Sequence, residues 1–339
     1  MSSTQAASGG KSLPPAQGWR TITIRTIIRT IIVRPETAIF LLIILTAILA
    51  SRLSPYFANI AFILESSTYY IEFCLVALVL TLVIIAGEID LSIASMMALS
   101  ACVFAVAVRA GVSIPIAMAA SLGSGLAMGA LNGFLVTIFR LPSIVITIGT
   151  LTLYRGLAQV LVGDRSIGSF PSWFVGIDFR SIGRVPLPVV MFVAAAIVLG
   201  LGLSSTIYGR QIYQIGVNEI AARHVGVRVD RIKMGLFLFS GLASAIAGLM
   251  MASRLGSVRY DLATGGELQI VLIAMLGGTS IFGGRGTILG TFLASWLLVI
   301  IATGMTVANI TINAQLTVLG LLLIVSTIAT NQFYVRGHQ

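Results

Sequence analysis

Two carboxylates interrupt apolar sequence at Gly87-Glu88-Ile89-Asp90-Leu91-Ser92. Charges are costly in a lipid-embedded chain, so they normally face protein, water or a cavity. One interpretation is a structural turn formed by Glu88 and Asp90, in which Asp90 caps the following helix through its free backbone N–H groups. The alternative is a site for a coupling proton or ion.

Further polar residues lie within or beside other apolar runs. Arg155 is near the middle of one run, where a lone arginine is expected to pair with a carboxylate or to extend toward water. Lining a transport route is the alternative for Arg155. The other residues suit either hydrogen bonding between helices or contact with a substrate. The candidate pathway residues are Asn132, Thr147, Thr150, Arg155, Asn313 and Gln315.

The sequence offers no set of residues arranged for catalysis. It has two histidines, His224 and His338, and two cysteines, Cys74 and Cys102, which lie inside apolar runs as small hydrophobes. We find no nucleophile–base pair, metal-ligand cluster or complete phosphate-binding loop in it. The prediction is therefore a protein that is not an enzyme and binds no metal or cofactor. Active transport would then draw on an ion gradient or another subunit.

Composition places the chain in a membrane. Of 339 residues, 57% are hydrophobic and 9% are charged, whereas soluble domains carry about 25% charged residues. The net charge of +10 comes from basic residues at the ends of apolar runs, which is typical of contact with anionic headgroups. We therefore expect membrane lipid, and no nucleic acid, as a partner.

Ten apolar runs predict an all-α, polytopic membrane protein with about ten transmembrane helices, within a range of eight to ten. The eighth run is doubtful, because 14 residues of helix cover about 21 Å of a hydrocarbon core about 30 Å thick. It either crosses or forms a re-entrant segment. The runs are 37–51, 69–86, 91–108, 114–139, 143–162, 187–206, 234–252, 268–281, 288–305 and 312–330.

The basic residues predict a cytosolic N-terminus. If all ten runs cross, 13 of the 21 basic residues are cytosolic and seven lie on the opposite side, with Arg155 inside a run. The predicted organisation is a disordered basic tail over 1–36 with an interfacial segment, a transmembrane domain over 37–332 and a C-terminal tail over 333–339.

Gly125, Gly129 and Gly133 recur every four residues in the fourth run. On a helix they share one face and let a neighbouring backbone approach closely, which indicates helix packing. A substrate groove is the alternative.

The segment 208–233 is a polar interruption with five basic and two acidic residues. Asn218 is expected to cap a short helix that ends at Gly226. Ala221 and Ala222 would give this helix a smooth exposed face, and Asp230 would cap the next span. A docking site for a soluble partner and a plain connector are the two interpretations.

An ordered series of segments carries a family resemblance. The segments are GEIDLSIAS (87–95), NGFLVT (132–137), PSIVITIGTLTLYRG (142–156), YGR (208–210), GVNEIAAR (216–223) with Gly226, SGLASAIAG (240–248) and GGTSIFGGRGTILG (277–290). Across about residues 37–332 this series resembles permease subunits of bacterial ABC importers for simple sugars, the ribose-permease family. That family often has Gly at the positions of Glu88 and Ala94, and these departures are expected to tune packing in the turn.

The resemblance implies a permease of the bacterial inner membrane that forms a pathway with a second permease subunit. A periplasmic sugar-binding protein would deliver substrate, and a cytosolic ABC ATPase pair would hydrolyse ATP-Mg. The resemblance places the ATPase-docking loop at Asn218, Glu219, Ala221, Ala222, Arg223 and Gly226.

Other classes of function compete with the importer. The main alternative is an ion-coupled secondary transporter of a small polar solute that uses Glu88, Asp90 or Arg155. An intramembrane enzyme is disfavoured by the missing catalytic set. Ribose, xylose, galactose, rhamnose and autoinducer-2 all fit the family, and so do a homodimer and a heterodimer of permeases.

Overall fold

The computed structural model describes residues 35–53, 55–177 and 180–336, so the predicted tail over 1–36 lies almost wholly outside the described residues. A helix forms on each of the ten apolar runs. The helices are α1 Pro35–Leu53, α2 Ile60–Ser67, α3 Ile71–Ile85, α4 Ile93–Arg109, α5 Ile114–Ile138, α6 Ser143–Val162, α7 Ser172–Val175, α8 Leu187–Ser205, α9 Ile207–Val217, α10 Glu219–His224, α11 Val229–Leu255, α12 Gly266–Leu276, α13 Ile288–Val307 and α14 Ile312–Arg336, with a 3₁₀ turn at Pro55–Ala58.

Five helices in the described part of the chain are long and apolar enough to cross a membrane, namely α5, α6, α8, α11 and α13. The pair α2 and α3, bent by 70°, makes a sixth if it counts as one span, and α4, α12 and Ile312–Ile328 of α14 are shorter apolar helices. The predicted all-α polytopic membrane fold is confirmed. The number of spans and the side of the N-terminus stay predictions. The last helix continues to Arg336, past the predicted start of the tail at 333.

Short strands lie between helices at one end of the bundle. Ile167–Gly168 (β1) pairs antiparallel with Ser257–Val258 (β4), and Ser181–Ile182 (β2) pairs antiparallel with Val185–Pro186 (β3). The β1–β4 pair joins the segment after α6 to the segment after α11. It therefore holds two connecting segments together at the end opposite Glu88.

The core of the bundle is built on α3, α4, α11 and α12. Nearly every residue of α3 is buried, as expected for a helix that is apolar on all sides. The longest helix, α11, packs against α5, α4 and α3. Of these helices, α11 carries Lys233 and Ser240, two of the polar residues described below.

The glycine stripe of α5 lies against the backbone of α11. A Cβ on Gly125 would come within 2.5 Å of the Gly241 carbonyl oxygen, and a Cβ on Gly129 would overlap the Phe237 carbonyl oxygen. At Gly133 it would meet the Met234 sulfur at 2.7 Å. The stripe is thus occupied by a neighbouring helix, and the alternative of an open groove does not fit this arrangement.

Residues 266–284, which include the short eighth run, extend along the whole length of α3. Gly266, at the start of α12, packs on Phe73 near the start of α3. After α12 ends, the chain continues without regular structure until the Gly284 N–H donates to the Ile85 carbonyl at the end of α3, at 2.8 Å. An eleven-residue helix spans about 17 Å, and the irregular residues after it cover the rest of the distance.

This path predicts a cytosolic C-terminus, on the same side as the polar segment that contains α9 and α10. A fluorescent or phosphatase reporter fused after Gln339 is expected to show a cytosolic signal, and the same reporter placed at Gly183 an extracytoplasmic one. An extracytoplasmic signal from the fusion after Gln339 would contradict a crossing by residues 266–284.

Candidate functional site

The polar segment between α8 and α11 is itself helical. Thr206 ends α8 and starts α9, where its hydroxyl accepts from the Gly209 N–H at 3.1 Å. Asn218 separates α9 from α10, and its Oδ1 accepts from the Ala221 N–H at 3.0 Å. A side-chain acceptor at each start satisfies N–H groups that a helix otherwise leaves unpaired.

A glycine turn reverses the chain after α10. Gly226 has φ +86°, a conformation that disfavours other residues. The turn is closed by hydrogen bonds from the Gly226 N–H to the Arg223 carbonyl and from the Val227 N–H to the Ala222 carbonyl, both at 3.1 Å. The short helix is therefore fixed at both ends.

The exposed face of α10 differs from the predicted one. Ala222 is buried against Ile215, Val227 and Val229, so the predicted exposed pair of alanines is wrong at this position and only Ala221 faces water. The reason is that a short helix needs an apolar anchor, and Ala222 provides it.

Three apolar side chains of this segment face outward. Val217 is 73% exposed, Ile220 is 70% exposed and Val225 is 75% exposed. Asn218 and His224, next to two of these residues, are polar and exposed. Apolar side chains this exposed within a polar segment are suited to binding another protein.

An exposed charge cluster holds α10 to the start of α11. The Arg223 guanidinium lies 2.8 Å from Glu219 Oε1 and 2.5 Å from Asp230 Oδ1. These hydrogen bonds raise the pKa of Arg223 above its ordinary value. Asp230 is engaged by Arg223, and α11 has no side-chain cap, so the predicted capping role of Asp230 is wrong.

Glu219 also binds Lys233, which lies one turn into α11. Burial raises the pKa of Glu219, but the hydrogen bonds from Lys233 and Arg223 outweigh it, and the pKa lies below its ordinary value. Lys233 Nζ contacts Glu219 Oε2 at 2.6 Å and Glu88 Oε1 at 2.5 Å. Glu88 is therefore one end of a three-residue ionic bridge, a role beyond the predicted tuning of packing.

A cavity of about 450 Å³ lies between this charge cluster and the turn after α5. Carboxylates and cationic side chains both contribute to its lining. Its lining residues are Glu88, Val136, Thr137, Arg140, Leu141, Pro142, Glu219, Ile220, Arg223, Asp230 and Lys233. The cavity thus joins the exposed α10 to the interior turn that carries Glu88.

Asp90 is fully buried in a chain of hydrogen bonds. Ser240 Oγ and Ser92 Oγ each donate to its carboxylate at 2.7 Å. Asn132 Nδ2 donates to Ser92 Oγ at 2.8 Å, and the Tyr154 hydroxyl donates to Asn132 Oδ1 at 3.0 Å. The network joins the turn to α5, α6 and α11.

Asp90 does not cap α4, so that prediction is wrong. The N-cap position belongs to Ser92, without a side-chain cap. The Asp90 carboxylate accepts from the backbone N–H of Ser92 at 3.0 Å, two residues along the chain. Its second oxygen serves Ser240 because a buried carboxylate needs a donor at each oxygen.

The predicted pathway residues fall into separate places. Asn132, Thr147 and Thr150 are buried near the Asp90 turn, and the Thr147 hydroxyl donates to the Ile89 carbonyl at 3.2 Å. Asn313 is exposed near the start of α14. Gln315, on the same helix, donates to the Ile310 carbonyl at 2.9 Å.

Arg155 binds backbone rather than a carboxylate. Its Nη1 donates to the carbonyls of Tyr260 and Leu262 at 2.8 and 2.7 Å. The sequence predicts a carboxylate partner or extension toward water, and the structure instead gives Arg155 two backbone carbonyl partners in the loop between α11 and α12. Arg155 therefore ties α6 to that loop.

Sequence reasoning missed Lys233 as the partner of Glu88, and Tyr154 and Ser240 as parts of the Asp90 network. A usable signal was that one of the chain's two lysines stands at the start of an apolar run. It also missed Val217, Ile220 and Val225, although apolar residues inside a polar segment are a recognisable anomaly.

The family model for the permease component of branched-chain amino acid transport systems matches residues 61–327. The chain belongs to this permease family. The permease is a multi-pass protein of the bacterial inner membrane and a subunit of an ABC-type import system, which implies an ATPase and a substrate-binding partner. This finding favours the importer over the ion-coupled secondary transporter.

Three similar relatives are autoinducer 2 import system permease proteins LsrD. The one from Klebsiella pneumoniae subsp. pneumoniae is 36% identical over 296 residues, which cover 86% of this chain and 89% of the relative. Those from Enterobacter sp. (strain 638) and Escherichia coli (strain K12) are 34% and 31% identical, with 86% of this chain and 90% of each relative covered. No solved structure matches.

The Asn132 network predicts a stability difference between two pathway candidates. Asn132→Leu removes a buried acceptor and a buried donor, and the expected loss is about 1–3 kcal/mol of unfolding free energy. Asn313→Leu changes an exposed position and serves as the matched control. Thermal unfolding in detergent measures both, and equal midpoints would contradict the assigned network.

Proposed function

We propose that the chain is the permease subunit of an ABC importer for autoinducer-2 or a chemically similar small sugar. We also propose that the polar segment between α8 and α11, which contains α9 and α10, docks the cytosolic ATPase. The exposed Val217, Ile220 and Val225 carry the docking proposal. Exposed apolar side chains within a polar segment suit the core of a protein interface, where apolar residues are enriched.

The geometry of α10 supports a docking role over that of a plain connector. A connector needs neither a helix fixed at both ends nor a charge cluster that links it to two other elements. Here Asn218 and Gly226 fix the ends, and Arg223 with Lys233 joins α10 to α11. These contacts hold α10 in a fixed position relative to α11, as a docking surface requires.

The subunits of the proposed importer have separate roles. We propose that the permease itself catalyses no reaction and that ATP-Mg is bound and hydrolysed by the ATPase. A second permease subunit would complete the pathway. A periplasmic binding protein would deliver substrate at the end where β1 pairs with β4. The similarity to the LsrD relatives, which are autoinducer 2 import permeases, supports autoinducer-2 as the cargo.

The docking proposal predicts that Ile220→Asp lowers the amount of ATPase that co-purifies with the permease by about tenfold or more, because it removes a central apolar contact. Ile182→Asp is the control, since Ile182 is also exposed but lies in β2 at the opposite end. Quantitative immunoblotting after affinity purification measures both. Equal recovery of the ATPase with Ile220→Asp and Ile182→Asp would contradict docking at α10.

The substrate proposal predicts ATP-dependent uptake of autoinducer-2 into proteoliposomes that contain permease, ATPase and binding protein. Unlabelled ribose, xylose, galactose and rhamnose serve as competitors. Uptake of one of these sugars without uptake of autoinducer-2 would contradict the cargo and leave the importer intact. Uptake by the permease alone, driven by a proton gradient, would contradict the importer itself.

A further inference from the structure

We propose that Lys233 is a positioning residue that transmits movement of α10 to the membrane core, through its simultaneous ion pairs with Glu219 and Glu88. This inference rests on the proposed docking of the ATPase at α10 and adds the route by which docking reaches the transport pathway.

The bridge connects two environments of different polarity. Glu219 belongs to the exposed α10, with its side chain 39% accessible, whereas the side chains of Lys233 and Glu88 are 9% and 11% accessible. A buried ammonium group and a buried carboxylate each depend on their partner, since either one alone would be strongly destabilising. The two groups must therefore move together.

The turn that carries Glu88 is attached to α11 at two points along the helix axis. Glu88 binds Lys233, and Asp90 binds Ser240, which lies seven residues further along the same helix. Seven residues make about two helical turns, or about 10 Å along the axis. Two contacts at different heights fix the orientation of the turn as well as its position.

Close backbone contacts extend this attachment to the segment after α12. The Gly284 N–H donates to the Ile85 carbonyl, and a Cβ on Gly283 would come within 2.8 Å of Gly87 Cα. Gly216, at the end of α9, packs against the same Ile85 carbonyl. Movement of the Glu88 turn therefore involves α3, α4 and the 277–287 segment together.

The exposed pairs of Arg223 differ from this bridge. The pair with Glu219 lies within α10, and the pair with Asp230 joins α10 to the first turn of α11. Both are exposed to water, where ion pairs contribute about 0–1 kcal/mol. The apolar anchor at Ala222 also reaches only α9 and the start of α11. Among the ion pairs of the described residues, the Lys233 bridge is the one that connects α10 to the α3–α4 turn.

The test uses the double variant Glu88→Gln/Lys233→Met, which removes the bridge without leaving an unpaired buried charge. A reporter cysteine replaces Ile89 in a background with Cys74→Ala and Cys102→Ala, and maleimide labelling is followed in the permease–ATPase complex with and without ATP-Mg. With the bridge intact, ATP-Mg is expected to change the labelling rate about threefold or more. The double variant is expected to lose this response while it recovers ATPase within about twofold of the parent.

Glu72→Gln/Arg254→Met is the matched control. It removes another buried ion pair between α3 and α11, at the opposite end of both helices, where Arg254 Nε lies 2.7 Å from Glu72 Oε1. This control is expected to keep the ATP response. If it loses the response as fully as the bridge variant, the effect is a general consequence of a lost buried pair, and the proposal is overturned.

Glu88→Met alone provides a second arm that does not depend on the folding of the double variant, because it keeps the Lys233–Glu219 pair and removes the acceptor for Lys233 in the α3–α4 turn. It is expected to lose the ATP response. A full response in Glu88→Met, or no response in the parent, overturns the inference. Undiminished ATPase recovery with Ile220→Asp would instead contradict docking at α10, and the proposed role of the Lys233 bridge would then lose its basis.

Discussion

The turn between α3 and α4 holds two carboxylates away from water, and the elements around it are arranged to satisfy them. Glu88 takes the ammonium group of Lys233, and Asp90 takes two serine hydroxyls and a backbone N–H. A buried carboxylate without such partners would cost several kcal/mol. The positions of α5, α6 and α11 relative to the turn are therefore set by polar contacts as well as by apolar packing.

Close glycine packing makes these polar contacts possible. Gly125 and Gly129 let α5 approach the backbone of α11, and both Asn132 of α5 and Ser240 of α11 then reach the Asp90 turn. Larger residues on the stripe would separate the two helices and leave the network incomplete. Small residues and polar residues thus act together, the first by allowing short distances and the second by making use of them.

Sequence reasoning located the ten apolar runs because the hydrophobic signal is local and strong, as in α6 and α5. It also located the short helix after Asn218, since caps and glycine stops are read from adjacent residues. It failed where the answer depended on distant residues. Lys233 and Glu88 are 145 positions apart. The inward side of α10 is a different case, because it depends on how the turn at Gly226 folds Val227 and Val229 back onto Ala222.

The irregular stretch after α12 has a consequence for biogenesis. Thr279 and Ser280 are buried, and Gly278, Gly283 and Gly284 adopt positive φ, so this backbone has no helix of its own to satisfy its polar groups. Such a segment cannot stand alone in lipid. It must insert into the membrane after α3 and α9 are in place, since it packs against the Ile85 carbonyl and Gly216. The ends of α3 and α9 therefore act as a template for residues 277–287 as the chain leaves the insertion machinery.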